Sequence, residues 1–305
     1  MTRATRVLVT GAAGQVGRDL VDVLAGVTPP GGDPSFQPDA AIRMNEFEVL
    51  GVTHHELDVT DRDAVRRVLA STRPDVIVHL AAYTQVDRAE VERDECFAVN
   101  ATGTESMSIA AADCGAHLIS ISSDYVFDGT KGAAYVEDDA TGPLNVYGAS
   151  KRAGELFCAQ RDTIVRTSWV MGVRGKNVVH VIAERAASGA TVRFVNDQTG
   201  TVTAASDLAR ALVALVRERP AGTWHVANSG ATTWFDIASF VGTTLGRDAA
   251  FATPIATSDL DPEPLARRPT RSDLSTAKFA SSFEALPGWR DGVARLVRDR
   301  SKAVT

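Results

Sequence analysis

Three residues in the middle of the chain have the types and spacing for proton transfer to a carbonyl oxygen. Tyr147 and Lys151 stand four residues apart, and Ser123 lies upstream of them. Positions i and i+4 of a helix share one face, so the phenol and the ammonium can point into one site. A nearby cation lowers the pKa of a phenol, and a serine hydroxyl can hydrogen-bond the same substrate oxygen. The pattern predicts carbonyl–alcohol interconversion, which needs a hydride carrier.

A candidate site for that carrier lies near the N-terminus. An apolar, β-branched run at residues 6–10 is followed by a turn containing Gly11, Gly14 and Gly17, and then by apolar residues at helical spacing. Strand, glycine turn and helix form the context of a dinucleotide site. Gly11 allows the sharp turn, Gly14 leaves room for a pyrophosphate, and Gly17 allows close helix packing. The spacing is GxxGxxG, but with this context it predicts cofactor binding. A Tyr–Lys pair alone would more often belong to a solvated helix face, and the rest of the chain shifts the interpretation toward catalysis.

The second predicted strand, residues 47–52, bears on the choice of cofactor. Thr53 follows it, and no carboxylate stands directly at its end. In NAD-binding folds an acidic residue there binds the ribose 2′-hydroxyl, so its absence mildly favours NADPH over NADH. Arg18 or Arg43 could meet a 2′-phosphate, although an exposed surface position is the commoner role for arginine. Asp58 could accept a hydrogen bond from the adenine amino group; its other interpretation is a helix cap, for which Thr60 or Asp61 fits better.

Alternating strand and helix patterns predict an α/β fold with a Rossmann-type, doubly wound parallel sheet. The predicted strands are 6–10, 47–52, 75–80, 117–121, 162–166 and 223–227, and the predicted helices between them include 61–72, 90–112, 147–160 and 206–218. Ligands bind at the carboxyl ends of such strands, where Ser123, Ala81 and Ala82 lie. Small residues there let a cofactor approach the backbone; their other interpretation is tight helix–sheet packing.

Beyond about Gly172 the pattern loosens and predicts a smaller C-terminal substrate-binding lobe. A helix at 178–187 and a strand at 192–195 are predicted there, and residues 254–269 are predicted to be loops. We expect residues 1–170 to form the dinucleotide-binding domain, with 198–229 returning to it. Residues 171–197 and 230–305 would form the substrate-binding lobe. A loop at 28–45, rich in Gly and Pro, has no assigned role.

Composition excludes several classes of function. The chain has 305 residues, 44% of them apolar, and a net charge of −6, which gives no footprint for nucleic acid or a membrane surface. No apolar run approaches the roughly 20 residues of a membrane span, and no signal peptide opens the chain. Cys96, Cys114 and Cys158 are scattered, so we expect a reducing, cytoplasmic environment without disulfides. Neither cysteines nor histidines have metal-ligand spacing, so no metal site is predicted.

With these residues in place, the chain resembles the extended short-chain dehydrogenases/reductases, and within them the dTDP-4-dehydrorhamnose reductase family. The resemblance covers nearly the whole length and includes residues 10–17, 57–61, 80–90, 99–104, 122–129, 145–151, 166–169 and 197–200. The block Asp-Tyr-Val-Phe-Asp-Gly at 124–129 is the most specific of these. The glycine turn and the Tyr–Lys pair belong to the whole superfamily.

The resemblance implies that NADPH or NADH reduces the C4 keto group of a dTDP-linked 6-deoxy-4-keto-hexose, converting dTDP-4-dehydrorhamnose to dTDP-L-rhamnose. Tyr147 would be the general acid, Lys151 would lower its pKa and hold the nicotinamide ribose, and Ser123 would replace the family's usual Thr. Asn100 would support Lys151 through water. The resemblance assigns cofactor binding to Gly11, Gly14, Gln15, Val16, Gly17, Asp58, Val59, Ala81, Ala82, Tyr83, Asn100, Tyr147 and Lys151, and substrate binding to Asp124, Tyr125 and Trp169.

Two departures from the family and two other functions stay open. The chain has Gly-Thr-Val-Thr at 200–203 where the family usually has Gly-x-Pro-Thr, and the region near Pro30 is an insertion. The resemblance also extends to a non-catalytic chain, the regulatory subunit of methionine adenosyltransferase, and to epimerases and dehydratases of the superfamily. Expected partners are a nucleotide-sugar substrate and a second copy in a homodimer. Dependence on Mg²⁺ is left open, because no spacing indicates it.

Overall fold

The structure is a computed structural model, and it describes residues 3–32 and 46–303. The strands are β1 (Thr5–Thr10), β2 (Phe47–Val52), β3 (Val76–His79), β4 (His117–Ser123), β5 (Thr163–Thr167), β6 (Val170–Met171), β7 (Val192–Val195), β8 (Thr199–Thr201), β9 (Thr203–Ala204), β10 (Gly222–His225), β11 (Ala231–Thr233) and β12 (Ala252–Ile255). The larger part of the loop predicted at 28–45, including Arg43, lies outside the described residues.

The helices follow the same chain order. They are α1 (Gln15–Leu24), α2 (Arg62–Thr72), α3 (Val86–Ala89), α4 (Arg93–Phe97), α5 (Gly103–Cys114), α6 (Val146–Phe157), α7 (Val178–Ala187), α8 (Ala205–Glu218), α9 (Trp234–Thr244), α10 (Ala277–Ser282) and α11 (Trp289–Ala303). A π-helical turn, Ala98–Thr102, joins α4 to α5, and a 3₁₀ turn, Asp124–Val126, follows β4.

A six-stranded parallel sheet is the centre of the fold and confirms the predicted class. Its strand order is β10-β5-β4-β3-β1-β2, and every neighbouring pair is parallel. The chain moves from β1 to β2 on one side and then to β3 on the other side of β1. This reversal opens a crevice at the carboxyl ends of β1 and β3, where doubly wound folds bind their ligands.

Helices cover both faces of this sheet. Val7 and Val9 of β1 pack in a core cluster with residues of α1 and α8. Leu8, between them, belongs to a second cluster with residues of α2 and α5. Successive side chains of a strand point to opposite faces, so a continuous apolar run is what a sheet buried on both faces requires.

Smaller sheets and a third core cluster make up the rest of the chain. β7 pairs in parallel with β12, and β8 pairs with β11 in an antiparallel manner. Met171, Ile182, Ile237 and Trp289 are among the buried residues that join α7, α9 and α11 into one cluster. β10, in contrast, pairs with β5 at the edge of the central sheet.

Two sequence predictions need correction in this region. Residues 254–269 were expected to be loops, but Pro254 lies within β12; a two-stranded sheet tolerates proline because neither strand must donate from every N–H. Helices α9 and α11 were not predicted at all. In the described ranges, every helix is too short or too polar to span a bilayer.

Candidate active site

The glycine turn between β1 and α1 approaches the end of β3 closely. Gly11 has φ +67°, and a Cβ there would lie 2.8 Å from the backbone nitrogen of Ala81. A Cβ on Gly17 would overlap the carbonyl oxygen of Gly11. Gly14 is the N-cap of α1 and has no side-chain cap, so the first N–H groups of the helix face the crevice. The sequence thus leaves a helix N-terminus bare at the position of a pyrophosphate.

Gln15 connects this turn to the segment that follows β6. Its Oε1 accepts hydrogen bonds from the Gly172 backbone N–H at 3.0 Å and from Asn177 Nδ2 at 3.2 Å. The amide is therefore committed to residues that follow β6, although the side chain still borders the crevice.

Helix α6 carries Tyr147 and Lys151, and two features fix its position. The Asn145 side chain caps it by accepting from the Gly148 N–H at 2.8 Å. Glycines allow close packing, because a Cβ on Gly148 would overlap the Tyr125 carbonyl oxygen and one on Gly154 would overlap that of Asn100. The helix is thereby set directly against the 3₁₀ turn and the π-helical turn.

Tyr147 and Lys151 both line the crevice, on the same side as the glycine turn. Burial raises the pKa of Tyr147 to about 12, and the charge of Asp124 adds to the increase. A hydrogen bond with Ser123 acts in the opposite direction, whereas Lys151 is not among the causes. The pKa of Tyr147 is therefore raised and not lowered as expected, because burial of the phenol disfavours its charged form. The phenol stays protonated at neutral pH and is a proton donor.

Lys151 is buried, with 7% of its surface exposed. Burial lowers its pKa to about 8. No hydrogen bond joins its Nζ to another of the described residues, and Nζ is not one of the fully enclosed polar atoms, so it is open to the crevice. Its side chain borders the crevice, so a ligand hydroxyl there would satisfy it.

Ser123 ends β4 next to Tyr147. Its Oγ donates to Asp124 Oδ1 at 3.1 Å and accepts from the Tyr125 N–H at 3.2 Å. Asp124 is 2% exposed, and its Oδ2 accepts from Ser272 Oγ at 2.6 Å. Burial raises the pKa of Asp124 to about 6. Asp124 thus lies behind Ser123 and does not line the crevice; it orients the serine hydroxyl and links it to the C-terminal segment.

Tyr125 also lies behind the crevice surface. Its ring packs edge-on against Tyr147, with centroids 6.0 Å apart. Arg268 interacts with its hydroxyl, and the guanidinium of Arg268 is held by Asp87 at 2.6 Å. The sequence analysis identified neither Arg268 nor Asp87; only contact between distant segments reveals them.

Trp169 is the predicted substrate residue that does line the crevice. It has φ +42°, a conformation that non-glycine residues rarely adopt. Stacking on Trp234 holds it, with ring centroids 4.0 Å apart, and a Cβ on Gly200 would come within 2.6 Å of its ring. The indole N–H is buried without an acceptor in the described part of the chain. Backbone strain and an unsatisfied donor at one residue are typical of a ligand-contacting position.

Asn100 lies behind the crevice wall. Its Oδ1 accepts from the Tyr83 N–H at 2.9 Å, and its Nδ2 donates to the Tyr83 carbonyl at 3.0 Å and to Ser150 Oγ at 2.9 Å. The amide therefore ties the loop after β3 to α6, one residue before Lys151. The water-mediated support of Lys151 that the resemblance implied stays a prediction.

Acidic groups surround the far end of the crevice, beyond β2. Asp58 Oδ1 accepts from the Thr60 N–H at 2.9 Å and hydroxyl at 2.8 Å, while Asp61 caps α2 as expected. Glu56 folds back along the chain, and its Oε2 accepts from the Thr53 N–H at 2.8 Å and hydroxyl at 2.9 Å. A carboxylate does therefore stand at the end of β2, supplied from three residues further on.

Most of the predicted site residues border one crevice of about 870 Å³. It brings together the predicted residues Gly11, Gly14, Gln15, Val16, Gly17, Asp58, Val59, Ala81, Ala82, Tyr83, Ser123, Tyr147, Lys151 and Trp169. Asn100, Asp124 and Tyr125 lie behind its surface. Residues that the sequence analysis did not single out also line it, among them Thr53, His54, Thr84, Glu95 and Ser168.

The crevice fits a dinucleotide better than a metal ion. The bare N-terminus of α1, the close approach at Gly11 and the unsatisfied ammonium of Lys151 suit a pyrophosphate and a ribose. Within residues 3–32 and 46–303, no group of three or more His, Cys, Asp or Glu side chains could hold a metal ion.

Comparisons with known proteins agree with this geometry. The family model for the RmlD substrate binding domain matches residues 37–301. The dTDP-4-dehydrorhamnose reductase of Escherichia coli K12 is 37% identical over 309 residues, covering 96% of this chain and 97% of that protein. The dTDP-4-keto-6-deoxy-D-glucose reductase of Streptomyces niveus is 37% identical over 254 residues, covering 82% of each.

A solved structure of a protein with the same name as the Escherichia coli relative is also similar to this chain. The dTDP-4-dehydrorhamnose reductase of Bacillus anthracis, crystallised in complex with NADP, has a TM-score of 0.85 at 32% identity, and the match covers 97% of this chain and 100% of that one. Since the family model spans most of the sequence and the relatives match along nearly their full lengths, the chain belongs to the RmlD substrate binding domain family.

Proposed function

We propose that this chain is an NAD(P)H-dependent reductase of a dTDP-linked 6-deoxy-4-keto-hexose, and that it converts dTDP-4-dehydrorhamnose to dTDP-L-rhamnose. One observation carries the proposal: Tyr147, Lys151 and Ser123 border the same crevice as the glycine turn. The relatives named for this reaction and for a related 4-keto sugar support the substrate class.

The part of the crevice next to the glycine turn would hold the cofactor. The turn containing Gly11, Gly14 and Gly17 and the first N–H groups of α1 would bind the pyrophosphate. The Lys151 ammonium would donate to the nicotinamide ribose, which supplies the acceptor that this buried cation otherwise lacks. A reduced nicotinamide dinucleotide, when bound, supplies the hydride that reduces C4 of the sugar.

Tyr147 would complete the reduction by giving its proton to the C4 oxygen. A pKa near 12 in the ligand-free protein keeps the phenol protonated, and the negative charge that develops on the substrate oxygen would accept the proton as the hydride arrives. The single hydroxyl proton of Ser123 is donated to Asp124 in the structure. Ser123 would redirect this hydrogen bond to the same substrate oxygen and hold that oxygen near the phenol.

The sugar nucleotide would lie on the other side of Tyr147, against the smaller lobe. Trp169, which borders the crevice, would contact it directly through its ring. Asp124 and Tyr125 would act from behind the surface, through Ser123 and Tyr147. We propose that residues 1–170 and 198–229 bind the dinucleotide, and that residues 171–197 and 230–305 bind the sugar. The pairing of β10 with β5 supports it.

A turnover assay tests the proposal. Purified protein would be given dTDP-4-dehydrorhamnose, or separately dTDP-4-keto-6-deoxy-D-glucose, with NADH or NADPH, and nicotinamide absorbance would be followed. We expect turnover of the first sugar, and a fall of about 10²- to 10⁴-fold in kcat in Tyr147→Phe with unchanged dinucleotide affinity.

The other outcomes separate the remaining candidates. Turnover of the second sugar alone would reassign the substrate while keeping the chemistry. No turnover of either sugar, together with co-purification of a methionine adenosyltransferase, would favour the regulatory alternative. Oxidised cofactor that survives purification would favour an epimerase. A homodimer and a cytoplasmic location complete the proposal; sedimentation and cell fractionation test them.

A further inference from the structure

The side chain of Glu56 folds back along the chain onto Thr53, at the end of β2. Thr53 is the first residue after β2, and its N–H and hydroxyl both donate to the same oxygen, Glu56 Oε2, at 2.8 and 2.9 Å. These hydrogen bonds lower the pKa of Glu56, so the carboxylate is charged at neutral pH. Two donors on one residue thus fix one negative charge at the end of the strand.

This end of β2 borders the region of the crevice that an adenosine would occupy. Thr53 and His54 both line the crevice, together with Asp58. In doubly wound sheets the residue group after the second strand meets the adenosine ribose, where its 2′-substituent distinguishes the two nicotinamide dinucleotides. A 2′-hydroxyl can donate to a carboxylate there, whereas a 2′-phosphate cannot.

The charge around this position is negative. Lys151 is the only lysine or arginine among the described residues that line the crevice, and it belongs to the Tyr147 end. Asp58 adds a second carboxylate. Among the described residues, the imidazoles of His54 and His55 are the groups whose charge lowers the pKa of these two carboxylates. Arg18 does not line the crevice. Within residues 3–32 and 46–303, a 2′-phosphate at this position would therefore meet the Asp58 carboxylate, a Thr53 whose two donors are committed to the Glu56 carboxylate, and no guanidinium.

We infer that Glu56 makes this protein select against a 2′-phosphate, so that it binds NADH in preference to NADPH. Without the fold-back, the sequence mildly favoured NADPH, because no carboxylate follows β2 directly. The inference rests on the dinucleotide part of the proposed function but not on the identity of the sugar.

Direct binding tests it without any sugar. Calorimetric titration at low ionic strength should give a Kd for NADH roughly tenfold below that for NADPH, the size expected for a single charge facing a phosphate across a few ångströms of water. Glu56→Gln keeps an acceptor for Thr53 but removes the charge, so it should tighten NADPH binding and largely abolish the difference. Glu48→Gln, an exposed change near the other end of β2, should leave the ratio as in wild type.

A second measurement does not depend on any variant. Charge repulsion is screened by salt, so the wild-type preference for NADH should shrink as ionic strength rises from 0.01 M toward roughly 1 M. Equal or tighter binding of NADPH, or a ratio that Glu56→Gln leaves unchanged, would overturn the inference. Tighter NADH binding without turnover of any keto sugar would leave the inference standing while the proposed reduction fails. Binding of neither dinucleotide would overturn both.

Discussion

Lys151 is the residue whose chemistry depends most on its surroundings. Burial lowers its pKa to about 8, and the described residues offer its ammonium no acceptor. Below that pH the side chain is a cation that can donate to a ribose hydroxyl. Above it the neutral amine is a weaker donor and loses its charge, so the pH of the solution should control how well the crevice holds a dinucleotide.

We therefore expect dinucleotide affinity to fall as the pH rises through about 8, by up to roughly tenfold per pH unit above that value. Fluorescence titrations of reduced dinucleotide between about pH 6.5 and 9.5 would measure this fall in affinity. Lys151→Met should bind weakly with no pH dependence in this window. Lys278→Met, which removes a lysine outside the crevice, should keep the wild-type profile. A flat wild-type profile would contradict the role assigned to Lys151.

The proposed function of Ser123 depends on its hydroxyl. Asp124 and the Tyr125 N–H orient that hydroxyl beside Tyr147. Ser123→Ala should lower kcat by about 10²- to 10³-fold, the usual cost of losing one donor to a developing oxyanion. Ser123→Thr, which keeps the hydroxyl, should retain most of the activity. Steady-state kinetics of the two variants decide the point, because equal losses would mean that side-chain size matters and the hydroxyl does not.

At the scale of elements, the fit between α6 and the 3₁₀ turn after β4 positions the proton donor. Gly148 packs its backbone against the Tyr125 carbonyl, with no space for a Cβ. Tyr147 is its neighbour in the chain, so any movement of the helix at this contact displaces the phenol. Catalytic groups tolerate little displacement, and an error of about 1 Å can cost about 10²-fold in rate.

Gly148→Ala should therefore reduce kcat by about 10²-fold and destabilise the fold by roughly 1–3 kcal/mol, as overpacking of a buried contact does. Gly142→Ala is the matched control, since its Cβ would meet Asp128 at an ordinary contact distance of 3.4 Å. Kinetics and urea unfolding of both variants would measure the difference. If Gly148→Ala behaved like the control, the close approach would not position Tyr147.

The elements that the sequence predicted share a strong local signal. The five N-terminal strands of the central sheet are short apolar runs, and a strand buried on both faces has few other interpretations. α9 was missed, although Thr233 and Asp236 form a capping box at its start. β12 was missed because proline normally argues against a strand, and only pairing with β7 makes one there.

The candidate site was predictable where its residues follow strand ends or share a helix face. The glycine turn, Ser123, Tyr147 and Lys151 all satisfy such a local rule. Other features depend on contacts between segments far apart in the chain. They are the burial of Asp124, the contact of Arg268 with Tyr125 and the stacking of Trp234 on Trp169. The pKa of Tyr147 likewise depends on burial, which spacing in the sequence does not reveal.

At the scale of the whole molecule, one buried ion pair joins the C-terminal helix to helix α8. Arg295 of α11 donates to both carboxylate oxygens of Asp207 of α8, at 3.0 and 2.6 Å. Its Nη1 also donates to the Gly31 carbonyl at 2.8 Å. Both side chains are at most 2% exposed. The pair thus connects three distant segments, α8, α11 and the start of the predicted insertion.

Breaking this pair should lower the free energy of unfolding far more than breaking a surface ion pair on the same helix. Arg295→Met leaves Asp207 as an uncompensated buried charge, so we expect a loss of roughly 3–5 kcal/mol in the free energy of unfolding, measured by urea denaturation. Arg298→Met, in which a half-exposed arginine loses its contact with Asp299, should change it by less than about 0.5 kcal/mol. Adding Asp207→Asn to Arg295→Met should recover part of the loss, because no charge then remains buried. Equal unfolding midpoints for Arg295→Met and Arg298→Met would mean that the lobes are held together by apolar packing of α11, through Trp289 and Leu296, and not by the buried charges.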